Sequence, residues 1–393
     1  MKPPPGLSLA SPSLVCRLKK SLYGLKQASR QWYSKLSTSL ISKGFVQSLN
    51  DYSLFIKSES HSLIIIVVYV DDILVTGNNA TAITILKTYL DQTFKIKDLG
   101  SLHFFLGMEF VTVPEGMILT QQKFTNDLLD HFLPPDSSPV SSPLDLNLKL
   151  KADLGQPLED PTLYRQLIGK LNFLLHTRPD LAFSVQYLSQ FMQSPHQAHW
   201  SAALYVLRYL KSRISQGILL NASSSFQLLA YCDSDWASCP ISRRSVSGYL
   251  ILLGGSPISW KSKKQHTISL SSAEVEYRSL RCLTAELSWL SRLLTELTVP
   301  NITPIPVKCD NQAAIYIAKN PVFHECTKHI ELDCHYVRAQ LNAGLISLSY
   351  VPTTSQLADV FTKNLSDKDH TAVIPKLGMV SPPPASGGVL DIG

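Results

Sequence analysis

An unbroken apolar run at residues 63–70 is followed at once by Asp71 and Asp72, and then by a second apolar run at residues 73–75. Eight residues is a usual strand length and far short of the roughly 20 residues that a membrane-spanning helix needs. The pattern predicts a β-hairpin whose tight turn carries two carboxylates. Because adjacent carboxylates beside buried strands repel each other, they need a compensating group. A divalent cation such as Mg²⁺ would supply one, although an ordinary Asp-rich turn also explains the dipeptide.

Positive charge is concentrated at the start of the chain. The sequence has 36 Lys and Arg against 30 Asp and Glu, and its first 50 residues contain eight basic residues and no acid. This segment predicts a local surface for a polyanion, and an ordinary solvated face explains it equally well. With 45% hydrophobic and only 17% charged residues, the chain is not a disordered acidic protein.

Pro- and Ser-rich stretches at residues 1–14, 134–143 and 381–388 divide the chain. They predict a first domain at residues 1–133, a linker and helical connection at 134–222, a second domain at 223–365 and a tail at 366–393. The N-terminus lacks the apolar segment of a secretory signal, and the seven cysteines show no paired C-x-x-C spacing. We therefore expect reduced thiols, no structural disulfide and no membrane partner.

Hydrophobic periodicity predicts the elements within these stretches. In the first domain a helical pattern at residues 22–40 precedes strands at 52–57, 63–70 and 73–76. In the helical connection, residues 159–215 have a helical pattern. In the second domain, predicted strands at 226–232, 246–253 and 267–270 precede a long helix, which is followed by further strands at 305–309 and 345–351. Strands first, then alternating helix and strand, predict a mixed-sheet α/β domain.

A second set of acids stands at the ends of predicted strands or within predicted helices. Its members are Asp233, Asp235, Glu274, Glu276, Asp310 and Asp359. Acids at the ends of separate strands of one sheet can converge at one edge and form a metal site for phosphodiester hydrolysis. A surface carboxylate is the simpler explanation for any one of them, but not for four in such contexts. Since Ser271 and Glu274 have the spacing of a helix capping box, Glu276 is left as the candidate ligand.

The first acidic hairpin has the sequence YVDD at residues 69–72, which resembles the catalytic hairpin of reverse transcriptases. Upstream, SLYGLKQASRQW at residues 21–32 resembles the SLYGLKQAPRAW signature of copia-type LTR retrotransposon Pol proteins, with Ser29 where Pro is usual. KDLG at 97–100 and FLGME at 105–109 match the next block of that family. The resemblance implies a reverse-transcriptase palm and thumb in residues 1–133 that would bind an RNA template and a DNA primer.

The same resemblance assigns roles to individual residues. Asp71 and Asp72 would be the metal ligands of the polymerase site. Gly24, Lys26 and Gln27 would line the template and incoming nucleotide, with Arg30 as a further nucleic-acid contact. The family's palm has another Asp upstream of the segment that resembles residues 1–7. We expect the palm to be partial and the isolated chain not to polymerise DNA.

Later motifs resemble, in order, the RNase H domain of the same family, so that the resemblance extends over residues 1–365. They are AYCDSDWA (230–237), ISWKSKKQ (258–265), SSAEVEY (271–277), CDNQAA (309–314) and QLAD (356–359). The resemblance implies an RNase H-like fold in which Asp233, Glu276, Asp310 and Asp359 hold two Mg²⁺ ions and cut the RNA strand of an RNA/DNA hybrid. It favours Asp233 over its neighbour Asp235, which shares a face of the strand.

Other residues are candidates for contact with the hybrid. Asn311 and Gln312 are expected to read 2′-hydroxyls, which only the RNA strand offers. Contacts with the hybrid backbone are expected from Lys328 and His329. Lys261, Lys263 and Lys264 are similar candidates, for which a solvated loop is an equal alternative. The nearby His324, Cys326, His329 and His335 have zinc-ligand chemistry. The helical pattern around them and the family's Arg at position 326 argue against such a site, and we do not expect zinc there.

Two functions remain open from the sequence. The chain is either an enzyme, with a polymerase remnant and a chemically complete RNase H, or a decayed or co-opted remnant that binds nucleic acid without catalysis. Other proteins encoded by such an element are possible partners. The retained acids favour the enzyme, and the missing palm Asp favours the remnant.

Overall fold

The computed structural model describes residues 24–222, 225–320 and 331–383, together with Ser11 and Val15. The chain divides into two compact units, Met1–Gly100 and Ser101–Gly393. This division lies inside the predicted first domain, and the predicted boundaries at residues 133, 222 and 365 stay predictions. Among the described helices, none is both long and apolar enough to cross a membrane.

The described part of the first unit is an antiparallel sheet, in the order β1-β2-β3-β4, with two helices. Its elements are α1 (Ala28–Ser42), β1 (Val46–Gln47), β2 (Leu54–Glu59), β3 (Ser62–Tyr69), β4 (Asp72–Gly77) and α2 (Ala80–Phe94). Residues 64, 66 and 68 of β3 share one face of the strand, because side chains alternate along it. They are buried with Leu36 and Leu40 of α1 and Leu86 and Leu90 of α2 in a single core.

The predicted hairpin is confirmed, with one correction to its turn. Tyr69 pairs with Asp72 across the strands, so Val70 and Asp71 form the two-residue turn and Asp72 is the first residue of β4. The turn therefore carries one carboxylate and the following strand carries the other. The predicted helix at residues 22–40 begins only at Ala28 in the described residues, and Leu22 lies outside them.

The described part of the second unit contains two sheets and most of the described helices. Its elements are β5 (Phe104–Phe105), β6 (Met108–Val113), β7 (Gly116–Thr120), α3 (Gln122–Phe132), α4 (Thr162–Leu174), α5 (Ala182–Ser189), α6 (Gln197–Lys211), β8 (Gly217–Asn221), β9 (Leu228–Asp235), β10 (Val246–Leu253), β11 (Ser256–Lys264), α7 (Ser272–Glu296), β12 (Ile305–Cys309), α8 (Gln312–Lys319), α9 (Glu331–Asn342), β13 (Ile346–Tyr350), α10 (Asp367–Val373) and β14 (Met379–Val380). A 3₁₀ segment at Leu357–Phe361 follows β13.

One hydrophobic core of the second unit lies against a mixed five-stranded sheet in the order β11-β10-β9-β12-β13. Strands β9, β12 and β13 run parallel to one another, whereas β10 and β11 are antiparallel to their neighbours. Helix α7 covers this sheet with buried side chains that include Leu280, Leu283 and Leu287. The predicted mixed-sheet α/β domain is confirmed.

One predicted strand of this sheet is wrong. Residues 267–270 have no regular structure, and the third strand is β11 at Ser256–Lys264. Strand β11 forms a hairpin with β10, and the tight turn between them sets the register that places Leu250 opposite Trp260. Strand β11 is an edge strand, and Lys261 and Lys263 point outward from it. Lysines protect an exposed edge from pairing, and they also hide the apolar alternation that identifies a strand.

The predicted helical region at residues 159–215 is confirmed as α4, α5 and α6, whose leucines form a second core. The sheet β14-β8-β7-β6-β5 has no counterpart in the sequence-based prediction. The predicted linker at residues 134–143 is held against α6. Arg208 Nε donates to the Ser138 carbonyl (2.7 Å), and Lys211 Nζ donates to the Pro135 carbonyl (2.8 Å).

Candidate metal centre

Four of the predicted acids meet at one edge of the mixed sheet. Asp233 lies near the end of β9, and Asp310 directly follows β12. Because β9 and β12 are parallel neighbours, their carboxyl ends meet at the same edge. Glu276 comes from the start of α7, and Asp359 from the 3₁₀ segment. Carboxylate oxygens of Asp233, Asp310 and Asp359 lie within 4.8 Å of one another.

Asp233 is the most central of these acids and is 4% exposed. The Thr362 hydroxyl donates a hydrogen bond to its Oδ2. Burial raises the pKa of the Asp233 carboxyl, and the negative charge of Asp310 adds to the rise, while the Thr362 hydroxyl opposes it. The positive charge of Lys363 also opposes the rise, and burial outweighs these compensating groups.

Glu276 is buried in the same place. Its Oε1 accepts a hydrogen bond from the Ser234 backbone N–H (3.0 Å), whereas its Oε2 is buried without a hydrogen-bond partner. Burial raises the pKa of Glu276 well above its ordinary value, and the charge of Asp233 raises it further. A buried oxygen without a partner costs about 1–3 kcal/mol, or more if it is charged, and a bound cation or water would remove that cost.

Asp359 combines an ion pair with a second oxygen that has no partner. Lys363 Nζ lies 3.0 Å from Oδ2, while Oδ1 is buried without a hydrogen bond. Burial and the charge of Asp233 raise the pKa of Asp359 to about 7, although Lys363 opposes the rise. Asp310 is less buried, and its Oδ2 accepts a hydrogen bond from the Thr353 hydroxyl (2.9 Å).

The cluster fits a hard divalent cation. Its donors are carboxylate oxygens, which Mg²⁺ prefers, and two of these oxygens have no other partner. The raised pKa values of Asp233, Glu276 and Asp359 express the repulsion and desolvation that a cation would relieve. Since the ligands must lose their protons to bind metal, cation binding would release protons from the carboxyls whose pKa values are raised.

A glycine of the sheet and the side chain of Gln356 place the 3₁₀ segment against the sheet. Gly248 of β10 lies opposite Asp233, and a Cβ built there would be 2.6 Å from the Phe361 Cβ. Gln356 Nε2 donates to the Cys232 carbonyl (2.9 Å), and its Oε1 accepts from the Ala358 N–H (3.2 Å). These contacts fix Asp359 next to strand β9.

The predicted capping box at the start of α7 is confirmed in part. The Ser271 hydroxyl accepts from the Glu274 N–H (3.2 Å). The Glu274 carboxylate, however, accepts from the Leu270 N–H (2.7 Å) instead of that of Ser271, and it pairs with Arg278 at 2.7 Å. Glu274 thus has a structural role, and Glu276, two residues on, is the acid that reaches the cluster.

The YVDD hairpin has a different environment, in which both Asp71 and Asp72 are exposed. Val70 in the turn has φ +54°, a conformation that is costly for a β-branched residue. The Trp32 indole N–H donates to the Val70 carbonyl (2.7 Å), and the Trp32 ring packs edge-on against Phe94. The tryptophan of the 21–32 motif therefore supports the turn that presents Asp71. Among the described residues, the groups of three or more potential metal ligands all lie in the second unit.

The predicted nucleic-acid contacts are only partly available. Gly24, Lys26, Gln27 and Arg30 are all exposed, as are Lys261, Lys263 and Gln312. Lys264 lies on the opposite face of β11 and donates to Gln190 Oε1 and Cys239 Sγ, both at 2.8 Å. The Asn311 Oδ1 accepts from the Ala314 N–H (2.9 Å) as the N-cap of α8. Lys328, His329 and the rejected zinc candidates His324 and Cys326 lie outside the described residues.

Sequence reasoning missed several groups that surround the acids. They are Thr353, Gln356, Thr362, Lys363 and the two cysteines Cys232 and Cys309. Lys363 was detectable in principle, because it stands four residues after Asp359, at a spacing that favours side-chain pairing on a helical turn. Gln356, Cys232 and Cys309 stand within the family motifs, although nothing in those motifs assigned them a contact. Thr353 had no signal, since its contact crosses to the end of another strand.

Comparison with known proteins agrees with the motifs. Residues 1–145 match the family "Reverse transcriptase (RNA-dependent DNA polymerase)". The Arabidopsis thaliana Pol polyprotein from transposon RE2 is 44% identical over 393 residues, 100% of this chain and 27% of its own length. A Saccharomyces cerevisiae transposon Ty5-1 protein is 32% identical over 281 residues, 70% of this chain and 91% of its own length.

The chain belongs to the copia-type retrotransposon Pol family. It spans about a quarter of the Pol polyproteins it matches, which include that of transposon RE1 of Arabidopsis thaliana (42% identical, 98% of this chain and 26% of its own length). The N-terminal RNase H domain of a Mycobacterium tuberculosis protein aligns over 38% of this Pol chain and 98% of its own length. With 15% identity and a TM-score of 0.27, that superposition by itself decides nothing.

Proposed function

We propose that this Pol chain is a ribonuclease H that cleaves the RNA strand of an RNA/DNA hybrid with two Mg²⁺ ions. The observation that carries the proposal is the convergence of Asp233, Glu276, Asp310 and Asp359, from four separate elements, on one edge of the mixed sheet. Family membership and the oxygen atoms without partners on Glu276 and Asp359 support it.

The four acids would hold the ions and orient the scissile phosphate. When bound, magnesium would activate the attacking water and stabilise the leaving 3′ oxygen. Asp233, the most buried of the four, would contact the ions at the centre of the site, with Thr362 fixing its orientation. Lys363 holds Asp359 and supplies a positive charge beside the acids.

Recognition of the hybrid would use groups around the same edge. The N-cap role of Asn311 occupies its Oδ1, so its Nδ2 would be the group that faces a 2′-hydroxyl. Gln312 is exposed at the first turn of α8 and would lie beside it. Lys261 and Lys263, which share the outer face of β11, would contact phosphates, whereas Lys264 is already engaged elsewhere.

The first unit would contribute the palm of a reverse transcriptase that binds template and primer, with Asp71 and Asp72 as metal ligands. We infer that these two acids hold ions poorly, because both are exposed and no third acid lies with them in the described residues. Polymerase activity of this chain alone should accordingly be weak or absent.

The test is cleavage of an end-labelled RNA/DNA hybrid by the purified chain in Mg²⁺, with EDTA as the metal-free control. The Asp310→Asn variant should cut at least ~100-fold more slowly, on the scale of losing one preorganised electrostatic group. Asp153→Asn makes the same chemical change at an exposed position and should cut at the parent rate. Hybrid binding without cleavage by the parent would instead support a non-catalytic remnant.

A further inference from the structure

Two buried cysteines lie directly behind the acid cluster. Cys232 precedes Asp233 on β9, and Cys309 precedes Asp310 at the end of β12. Both side chains are fully buried. The Cys232 thiol donates to the Lys308 carbonyl (3.9 Å), and the Cys309 thiol donates to the Asn311 carbonyl (3.8 Å). Both are free thiols, and the Cys309 Sγ also accepts from the Asn311 N–H (3.4 Å).

Cys309 shares its surroundings with two of the acids. Its Sγ, a carboxylate oxygen of Glu276 and one of Asp310 all lie within 4.8 Å of one another. Independently, the Glu276 Oε2 is buried and has no hydrogen-bond partner. One thiol and two carboxylates, with a second thiol alongside, form a mixed sulfur and oxygen donor set.

This donor set differs in chemistry from the three-Asp group beside it. Mg²⁺ takes oxygen ligands and does not favour sulfur, whereas thiolates select softer cations such as Zn²⁺ and Cd²⁺. Zinc sites are usually four-coordinate, with Zn–S near 2.3 Å and Zn–O near 2.0–2.2 Å. Such bond lengths place neighbouring ligand atoms less than 4.8 Å apart, and the three donor atoms here all lie within that distance of one another.

We propose that Cys309, Glu276 and Asp310, with Cys232 beside them, form a binding site for a thiophilic divalent cation such as Zn²⁺ or Cd²⁺. Asp310 belongs to both donor sets, and Glu276 is one of the four proposed magnesium ligands, so a soft cation at Cys309 withdraws two of those acids from Mg²⁺. A soft cation therefore inhibits hybrid cleavage. This consequence, unlike the binding itself, rests on the proposed ribonuclease function.

Binding is measured directly on the full reduced chain, without any assay of activity. Cd²⁺ is titrated into protein kept reduced with a phosphine, and the ultraviolet band of Cd²⁺–thiolate charge transfer is recorded. Affinity comes from competition with a chromophoric chelator. Cys309→Ser should abolish the band and weaken Cd²⁺ binding by more than the ~10–100-fold typical of losing an outer partner of a metal ligand.

The matched control is Cys282→Ser, which removes an exposed cysteine of α7 and should keep both the band and the affinity. Cys309→Ala repeats the test if the serine variant does not fold. A band of parental strength in a folded Cys309 variant, or its loss in Cys282→Ser instead, overturns the proposal.

Activity then separates the two proposals. If the parent cleaves hybrid, Cd²⁺ should inhibit it, and Cys309→Ser should resist that inhibition when each rate is compared with its own rate in Mg²⁺ alone. If the parent binds Cd²⁺ through Cys309 but does not cleave, the ribonuclease proposal fails and the metal site stands. If the parent cleaves hybrid but shows no Cd²⁺–thiolate band, the ribonuclease proposal stands and the metal site at Cys309 fails.

Discussion

Substitution of Gly248 by alanine is the sharpest test of how the fold builds the site. The added Cβ would lie 2.6 Å from the Phe361 Cβ, 2.8 Å from the Thr362 Cγ2 and 3.2 Å from the Ala358 carbonyl oxygen. Carbon atoms pack best at about 3.5–4.0 Å, so the 3₁₀ segment must retreat by about 0.9 Å. The first two atoms are close to the backbone, and rotation of a flexible side-chain end cannot relieve the contact.

The retreat should affect both stability and catalysis. Overpacking of this kind costs about 1–3 kcal/mol, which lowers Tm by roughly 2–4 °C per kcal/mol in a domain of 150–250 residues. The 3₁₀ segment carries Asp359. Thr362, the residue directly after the segment, donates a hydrogen bond to the Asp233 carboxylate. A misplacement of about 1 Å can cost about 10²-fold in rate. We expect Gly248→Ala to fold and to cleave hybrid about 100-fold more slowly.

Thermal unfolding by circular dichroism and cleavage of labelled hybrid measure the two effects. Gly169→Ala in α4 is the control, because a Cβ there meets nothing within 4 Å. Alanine is the better helix former by about 0.5–1 kcal/mol, so this variant should be slightly stabilised and fully active. If Gly248→Ala keeps both the parental Tm and the parental rate, the 3₁₀ segment is not held against β10 as described, and our placement of Asp359 fails.

Two further predictions concern the first unit. Trp32→Phe keeps a ring against Phe94 but loses the N–H bond to the Val70 carbonyl, at a cost of about 0.5–1.5 kcal/mol. Amide hydrogen exchange at residues 69–73, measured by mass spectrometry, should become faster in Trp32→Phe. It should not change in the control Trp236→Phe. Unchanged exchange in Trp32→Phe would show that the indole does not support the turn. In a primer-extension assay with Mg²⁺, the chain alone should add no measurable nucleotides, whereas robust synthesis that is lost in Asp71→Asn would refute our inference about the exposed hairpin.

Much of the local structure was predictable, because it depends on residues close together in the chain. The hairpin follows from eight apolar residues and two acids, and its strands are confirmed within two residues of the predicted ends. The same holds for α7, which begins one residue after the N-cap Ser271. Strand β11 was missed because Lys261 and Lys263 interrupt its apolar pattern, and its identity depends on pairing with β10.

The short strands of the third sheet show the same limit more strongly. Strand β7 pairs with β8, and β14 completes the edge, although these segments are far apart in the sequence. Short strands carry little periodic signal of their own. Strands β8 and β14 are stabilised by pairing with partners far away in the sequence, which no local pattern records, whereas β6 and β7 pair across a short local turn.

For the site, the sequence by itself determined which acids stand at strand ends and helix starts, because those positions follow from local periodicity and motif order. Only the tertiary structure decided which of them meet. It brought Lys363 and Thr362 to the cluster and placed Cys232 and Cys309 behind it, whereas the choice of Glu276 over Glu274 already follows from the capping-box spacing. The physical reason is that burial and the repulsion between like charges exist only once distant strands have paired, and these determine where a cation is needed.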